Sequence, residues 1–329
     1  MPATKYGDIS PRTAAYVAKE LLERGLPLLT IEKFLQTKTI PKNETKSISF
    51  RRYNSLPLAT TPLTEGVTPP SMQMTKTDIT ATLEQYGSLI EITDVVADTH
   101  EDPVISEGVD ILGEQAAQTI ETVRWGILKA GTNKFYSNGT TRSSVNTPIN
   151  NILVKKIVRA LKRQNAQMIT SIVKSTPAYG TQAILPAYIA IGHTDLENDI
   201  RNISGFIDVK DYGNTQPLEG EIGSTGYVRW ILSNIFTPYP DAGGAAGSMI
   251  TTSGTNADVY PILFLGKNAA ATVALKGANA ITPTVINPKP SKSDPLGQRG
   301  YMGWKTYSTA VILNDAWMAV AEVAATELV

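Results

Sequence analysis

Cysteine is absent from this 329-residue chain. Disulfides, thiolate nucleophiles and cysteine-type zinc sites are therefore excluded. Histidine is nearly absent: His100 and His193 stand alone, with no HExxH or His-x-His spacing. Both read as ordinary loop residues at element ends, because a metal site needs convergent ligands. An excess of charge of either sign is missing too. Thirty basic residues face thirty acidic ones, which argues against a dedicated nucleic-acid binder. No apolar run reaches the 18 residues of a membrane span, and MPATKYGDIS has no signal-peptide core. A phosphate-cradling GxxxxGK[ST], a GxGxxG after a strand and a GxSxG elbow are all missing. The carboxylate pairs Glu101–Asp102 and Glu219 with Glu221 are unremarkable among thirty acids. The sequence therefore predicts no catalytic residue, no metal site and no cofactor.

What is present is a globular composition, 42% apolar and 18% charged, long enough for a substantial core. Ser10-Pro11 reads as a helix start, followed by Ala14, Val17, Ala18, Leu21 and Leu22 at helical spacing. Residues 45–53, TKSISFRRY, alternate as a strand, and residues 78–93 do the same, with Ile79, Ala81 and Leu83 on one face. Gly87 reads as a bulge in that second strand. Between the two lies a Pro- and Thr-rich tip carrying Pro57, Pro62, Pro69 and Pro70. A loop of this length is functional or disordered, and a two-stranded hairpin alone is marginal in water. The tip therefore needs a surface to lie on.

Asp102-Pro103 opens a long helix to Gly131, with the stripe Ile105, Val109, Leu112, Ala116, Ile120, Val123 and Ile127. Residues 131–150 read as loop, and 152–169 as a basic helix whose Lys155, Lys156, Arg159, Lys162 and Arg163 form a solvated face. ILPAYIAIGH and GYVRWILSNIF read as strands. A helix capped by Thr194 lies between them, and residues 241–258 form a flexible Gly-rich loop. DVYPILFLGKNAAATVAL reads as a strand and then a short helix, and the last two runs read as a closing antiparallel strand pair. The mixture without βαβ alternation predicts an α+β class.

The stretches "ISPRTAAYVAKELLERGLPLLTIEKF", "SISFRRYNSLPLATTPLTEGVTPP", "ITATLEQYGSLIEITD" and "DPLGQRGYMGWKTYSTAVILND" carry a resemblance. The chain resembles the major capsid proteins of tailed bacteriophages with the HK97-like fold, in their podophage-type branch. The resemblance implies an N-terminal arm over 1–40, an extended E-loop hairpin over 41–93 and a P-domain spine helix over 94–140. It further implies a mainly A-domain segment over 141–257, and closing strands that return to the P-domain over 258–329. It implies hexameric and pentameric capsomers in an icosahedral-type head around double-stranded DNA. The shell would be assembled in the bacterial host cytoplasm and become part of the virion. Partners implied are other copies of the chain, a separate scaffolding protein and a portal, with a possible decoration protein. A separate scaffold is expected because the chain starts almost at the arm with its initial Met. Contact with packaged DNA is expected to be weak and non-specific, and no membrane partner is expected.

The tip would then lie on a neighbouring copy, with Arg51, Arg52, Tyr53, Pro57, Pro62, Glu65, Pro69 and Pro70 as interface candidates. Adjacent strand residues point to opposite faces. One arginine is therefore expected to pair within the hairpin and the other to reach a neighbour's carboxylate, for which the guanidinium fork is suited. The prolines would lower the ordering cost on docking. The alternatives are a bacterial nanocompartment shell of the same fold, an enzyme with a novel site, and a phage tail or decoration protein.

Overall fold

The computed structural model describes residues 29–41, 43–93, 104–174, 180–212, 217–275, 281–286, 290 and 295–328. The expected helix after Ser10, the Asp102-Pro103 start and His100 lie outside them.

In chain order the strands are β1 Gln36–Ile40, β2 Ser47–Tyr53, β3 Lys76–Thr82, β4 Glu84–Thr93, β5 Lys134–Tyr136, β6 Ile169–Lys174 and β7 Gly180–Gly192. They continue as β8 Phe206–Asp208, β9 Glu221–Thr225, β10 Val228–Leu232, β11 Tyr260–Leu265, β12 Ala270–Leu275, β13 Thr282–Ile286, β14 Arg299–Ile312 and β15 Met318–Val323. The α-helices are α1 Val104–Leu128, α2 Asn151–Arg163 and α3 Glu197–Arg201. Among the described residues the strands form three sheets. A five-stranded sheet runs β1-β12-β14-β13, with β4 also on β14; an eight-stranded sheet runs β5-β15-β11-β7-β10-β9-β8, with β6 also on β7. β2 and β3 form a separate antiparallel pair.

The eight-stranded sheet is the larger core, and its strands show why. β10, β11 and β15 are buried at every position, the mark of a sheet covered on both faces. Ile262 and Phe264 of β11 pack with Leu153, Val154, Ile157 and Leu161 of α2 on one face. The alternate residues Leu263 and Leu265 pack with Trp125, Leu128, Ile31 and Phe34 on the other. Helix α2 starts where the Asn150 side chain accepts from the Leu153 N–H at 2.8 Å, a side-chain N-cap. It ends at Arg163, with Asn165 at φ +53°. The expected continuation to residue 169 is wrong, and Ile169 opens β6.

Helix α1, about 37 Å long at 1.5 Å per residue, joins the two cores. Val109, Leu112, Ala116 and Ile120 pack on Met302, Trp304 and Ile92 of the five-stranded sheet. The predicted stripe then turns. Val123 and Ile127 are only half-buried, while Trp125 and Leu128 reach into the second core. A buried polar cluster marks the switch. Glu121 is fully buried, accepts from the Ile31 N–H at 3.0 Å and pairs with Arg124 at 3.2 Å. Arg124 also reaches Glu32 at 3.0 Å. Burial pushes the Glu121 carboxyl up, against the pull of Arg124.

Several expectations are corrected by packing. Gly87 makes no bulge, because β4 pairs with β14 in unbroken register from Glu84↔Ser308 to Thr93↔Arg299. It is glycine because a Cβ there would lie 2.6 Å from the Trp304 carbonyl. The break falls instead at buried Leu83, where the chain leaves the β2–β3 pair for the five-stranded sheet. The segment after β11 is strand β12, not helix, since a turn at Asn268 (φ +58°) lets it fill the gap between β1 and β14. β14 and β15 do not pair with each other; β14 lies beside β4, β12 and β13, and β15 lies between β11 and β5. The short helical region after β7 is capped by the His193 side chain rather than Thr194.

The Gly-rich loop 241–258 is held in place rather than free. The buried Asp258 carboxylate accepts from the Asp241 N–H at 2.8 Å, the Thr252 N–H at 2.9 Å and the Thr252 hydroxyl. A Cβ on Gly243 would lie 2.2 Å from the Val145 carbonyl.

Candidate functional site

The hairpin is rooted before it is exposed. Phe50, Ala81 and Leu83 are buried with Ile40, Ala271 and Val273, so β2 and β3 rest on the five-stranded sheet. The Lys38 ammonium sits 4.7 Å from the Phe50 ring centre. Register runs from Ser47↔Thr82 to Tyr53↔Lys76. Beyond that, the Asn54 N–H donates to the Thr75 carbonyl at 2.9 Å and the Asn54 side chain bonds Thr75 and Thr77 at 3.1 and 3.2 Å. These bonds close the base of an excursion, residues 55–74.

Every residue of the excursion is exposed and none lies in a strand or helix. A turn at its far end joins the Thr64 carbonyl to the Val67 N–H at 3.1 Å. Gly66 has φ +78° there, as the third position of a type II turn requires. The excursion carries Leu56, Leu58, Leu63, Val67, Met72 and Met74, of which Leu58 is 86% and Leu63 77% exposed. Six large apolar side chains in water along one segment are the signature of an interaction surface.

The predicted interface residues divide into three groups. Arg51 pairs within the hairpin, its Nε 2.9 Å from Asp78 Oδ1 and its second contact at 3.4 Å. Lys76 adds a third contact to Asp78 at 3.0 Å. The hydrogen bond from Arg51 and that from Lys76 hold the Asp78 carboxyl below its usual range, and Arg51 is raised in turn. Arg52 is half-buried and points back to its own chain, 3.5 Å from the Leu313 carbonyl. Tyr53, Pro57, Pro62, Glu65, Pro69 and Pro70 are all exposed on the excursion or its base. The structure thus brings the tip residues onto one projecting arm and anchors both arginines at its root.

The sequence reading passed over the six apolar residues of the tip. Their signal was available as large aliphatic side chains spaced among prolines and threonines without helical or strand period. Such residues have no face to hide on and stay in water unless another surface covers them.

No metal-holding constellation competes with this arm among the described residues. No group of three or more His, Cys, Asp or Glu side chains comes together there. His193 serves as a cap, its Nδ1 accepting from the Asp195 N–H at 3.2 Å, and Tyr260 donates to Asp195 at 2.8 Å. Among the described residues no helix is long and apolar enough to cross a membrane.

Comparison with known proteins gives this architecture a context. The fold is similar to the capsid of Ralstonia phage GP4, at 13% identity and a TM-score of 0.66, with 91% of this chain and 89% of that one covered. It is also similar to the cyanophage Pam1 capsid, at 11% identity and a TM-score of 0.65, with 92% of each chain covered. A more distant likeness is the holo-SrpI encapsulin complex of Synechococcus elongatus PCC 7942, at 9% identity and a TM-score of 0.51, covering 98% and 93%. No curated protein sequence matches the chain. Residues 76–323, more than half of the chain, match the family described as phage capsid protein. With its α+β body, its long helix across two sheets and its projecting hairpin, the chain has the HK97-like capsid fold and belongs to the phage capsid protein family.

Proposed function

We propose that the chain is the major shell subunit of a phage head. It would assemble through hexameric and pentameric capsomers into an icosahedral-type container for double-stranded DNA, with residues 55–74 lying on an adjacent copy. The observation that carries this is the unpartnered arm, with six large apolar residues exposed beyond a root fixed by Phe50 and Leu83. Burying such side chains stabilises by roughly 1.5–3 kcal/mol each, or roughly 9–18 kcal/mol gross for six. Association costs about 4–15 kcal/mol in lost freedom. One docked arm is therefore marginal, whereas a closed ring, in which each copy gives one arm and receives one, gains from every contact at once.

In this reading 1–40 is the arm at the N-terminus and the E-loop is the β2–β3 hairpin with its tip. α1 is the spine of a P-domain built on the five-stranded sheet. The mainly A-domain segment is 141–257, and β11 and β15 of the closing segment 258–329 share its eight-stranded sheet with β7 and β10. Assembly takes place in the host cytoplasm with a scaffold and a portal, and the protein has no enzymatic role. A nanocompartment shell is the second reading, favoured only by the likeness to the encapsulin. Nucleic acid inside purified particles supports the first reading, and a protein cargo the second.

The test replaces residues 55–74 by an Asn-Gly turn, which keeps the Asn54–Thr75 closure and the β2–β3 register. The expected result is a folded subunit that forms no shells in negative-stain microscopy and light scattering, where the intact chain does. Shells from the shortened chain would refute the role of the arm.

A further inference from the structure

Helix α2 carries Lys155, Lys156, Arg159, Lys162 and Arg163 in thirteen residues, with no acidic residue among them. All five are exposed, and among the described residues no ion pair joins them to a carboxylate. A merely solvated helix face interleaves acids and bases at four-residue spacing, where they attract. Here like charges stack on successive turns, Lys155 over Arg159 over Arg163, an arrangement that destabilises a helix. The negative end of the helix dipole accounts for Lys162 and Arg163 in the last turn, but not for the other three.

The helix has no freedom to turn this face inward. Leu153, Val154, Ile157 and Leu161 are pinned to the eight-stranded sheet. In a chain with no net charge, five cations in one short helix also mean that the compensating acids lie elsewhere. The field is therefore local and one-signed.

Beside the helix lies a cleft of about 530 Å³ lined by Lys156, Arg159, Arg163, Gln164, Thr132 and Asp315, among others. The acid in it is already engaged: Asp315 accepts from the Thr132 N–H at 3.2 Å and the Thr132 hydroxyl at 2.8 Å. The cleft is thus a concave site for negative charge.

Its surroundings narrow the ligand. Single-stranded nucleic acid needs aromatic platforms for stacking. A cation already sits over each nearby ring: the Lys162 ammonium is 3.5 Å from the ring centre of exposed Tyr227, and that of Lys156 is 5.9 Å from the ring centre of half-buried Phe135 in the cleft lining. An acidic peptide would want a large exposed apolar anchor among the cations; the cleft lining offers only half-buried Phe135, and exposed Ile152 stands one turn before Lys156, outside the cleft. A duplex backbone needs only phosphate contacts.

We propose that the cationic face of α2 and its cleft bind the phosphate backbone of double-stranded DNA without reading sequence. The proposal depends on the capsid reading only for the presence of DNA. It stands against the expectation of a merely solvated face.

The test is fluorescence anisotropy of the unassembled subunit on a short random-sequence duplex, across a range of salt. Each phosphate contact contributes about 0.9 to the slope of log K against log salt, so five contacts give about −4.5. K156Q/R159Q/R163Q should flatten the slope by about 2.7, and R159Q alone by about 0.9, which keeps the test valid if the triple variant misfolds. Lys305→Gln, an exposed cation on β14, should leave the slope unchanged. Wild-type slopes in the α2 variants would overturn the proposal. So would polyglutamate displacing the duplex as well as unlabelled DNA does at equal charge. Shell formation by the same variants, scored by microscopy, reports separately on the capsid reading.

Discussion

Glu322 is a carboxylate next to the last residue of an otherwise apolar strand, and neutralising it has a calculable consequence. It lies on β15, fully buried, between alanines and valines. Its oxygens accept from Arg142 Nε at 2.8 Å and the Arg142 Nη2 at 2.7 Å, and Lys134 stands 3.2 Å away. Burial acts to raise its carboxyl, but the Arg142 hydrogen bonds and the two cations outweigh it and hold it below the usual range.

Hydrogen bonds to charged groups are worth about 1.5–3 kcal/mol each, and breaking a buried pair costs about 3–5 kcal/mol. Two features fix where Glu322→Gln falls. Its amide nitrogen would face donors and so loses at least one bond. Arg142 and Lys134 are about a third exposed and can find water, which softens the loss. Arg142 is also held over the Tyr239 ring at 3.6 Å, which limits its escape. The expected destabilisation at pH 7 is therefore about 3 kcal/mol, read as a shift of the urea midpoint of the unassembled subunit.

The pH dependence supplies a second arm. A folded carboxyl held below its unfolded value of 4.5 contributes stability that is complete above that pH and lost as pH falls through the folded value. The gap between wild type and Glu322→Gln should thus be constant from pH 7 to about 5 and narrow below. A variant within about 0.5 kcal/mol of wild type at pH 7, or a gap that ignores acid, would refute the reasoning.

Three further outcomes are expected. Asn150→Ala removes the cap on the Leu153 N–H and should destabilise by about 1 kcal/mol, read from urea unfolding; no change would mean that water or a neighbour replaces it. Phe50→Ala should cost about 3 kcal/mol locally and speed hydrogen exchange in residues 47–53 and 76–82. The amides of β11 and β15 should stay protected, and equal loss in both regions would show that the hairpin root is not a separate unit. Gly243→Ala puts a Cβ 2.2 Å from the Val145 carbonyl and 2.8 Å from that of Ala257. It should lower stability by about 3 kcal/mol, measured by thermal unfolding, and a neutral result would mean that the 241–258 loop is free to shift.

Much of the local structure was determined by the sequence itself. The 3.6-residue period over Val109–Ile120, the alternation in SISFRRY and the apolar runs of β7, β10 and β11 depend only on which face a residue presents. Neighbours along the chain encode that directly. The exposed tip was legible as well, because its prolines and threonines cannot form a core.

Tertiary structure decided the rest. AATVAL is short and apolar and fits helix or strand equally; it became β12 because β1 and β14 leave open backbone groups on both its sides. The α1 stripe turned after Ile120 because two different cores needed covering. Gly87 and Gly243 are glycine for carbonyls far away in sequence. Glu322 is buried as a charge because Arg142, 180 residues earlier, meets it across the fold. Arg51 and Arg52 were rightly placed on opposite faces, but only the folded sheet put Asp78 beside one and the Leu313 carbonyl beside the other. Periodicity is a property of the chain alone, whereas pairing between distant segments is a property of the closed core.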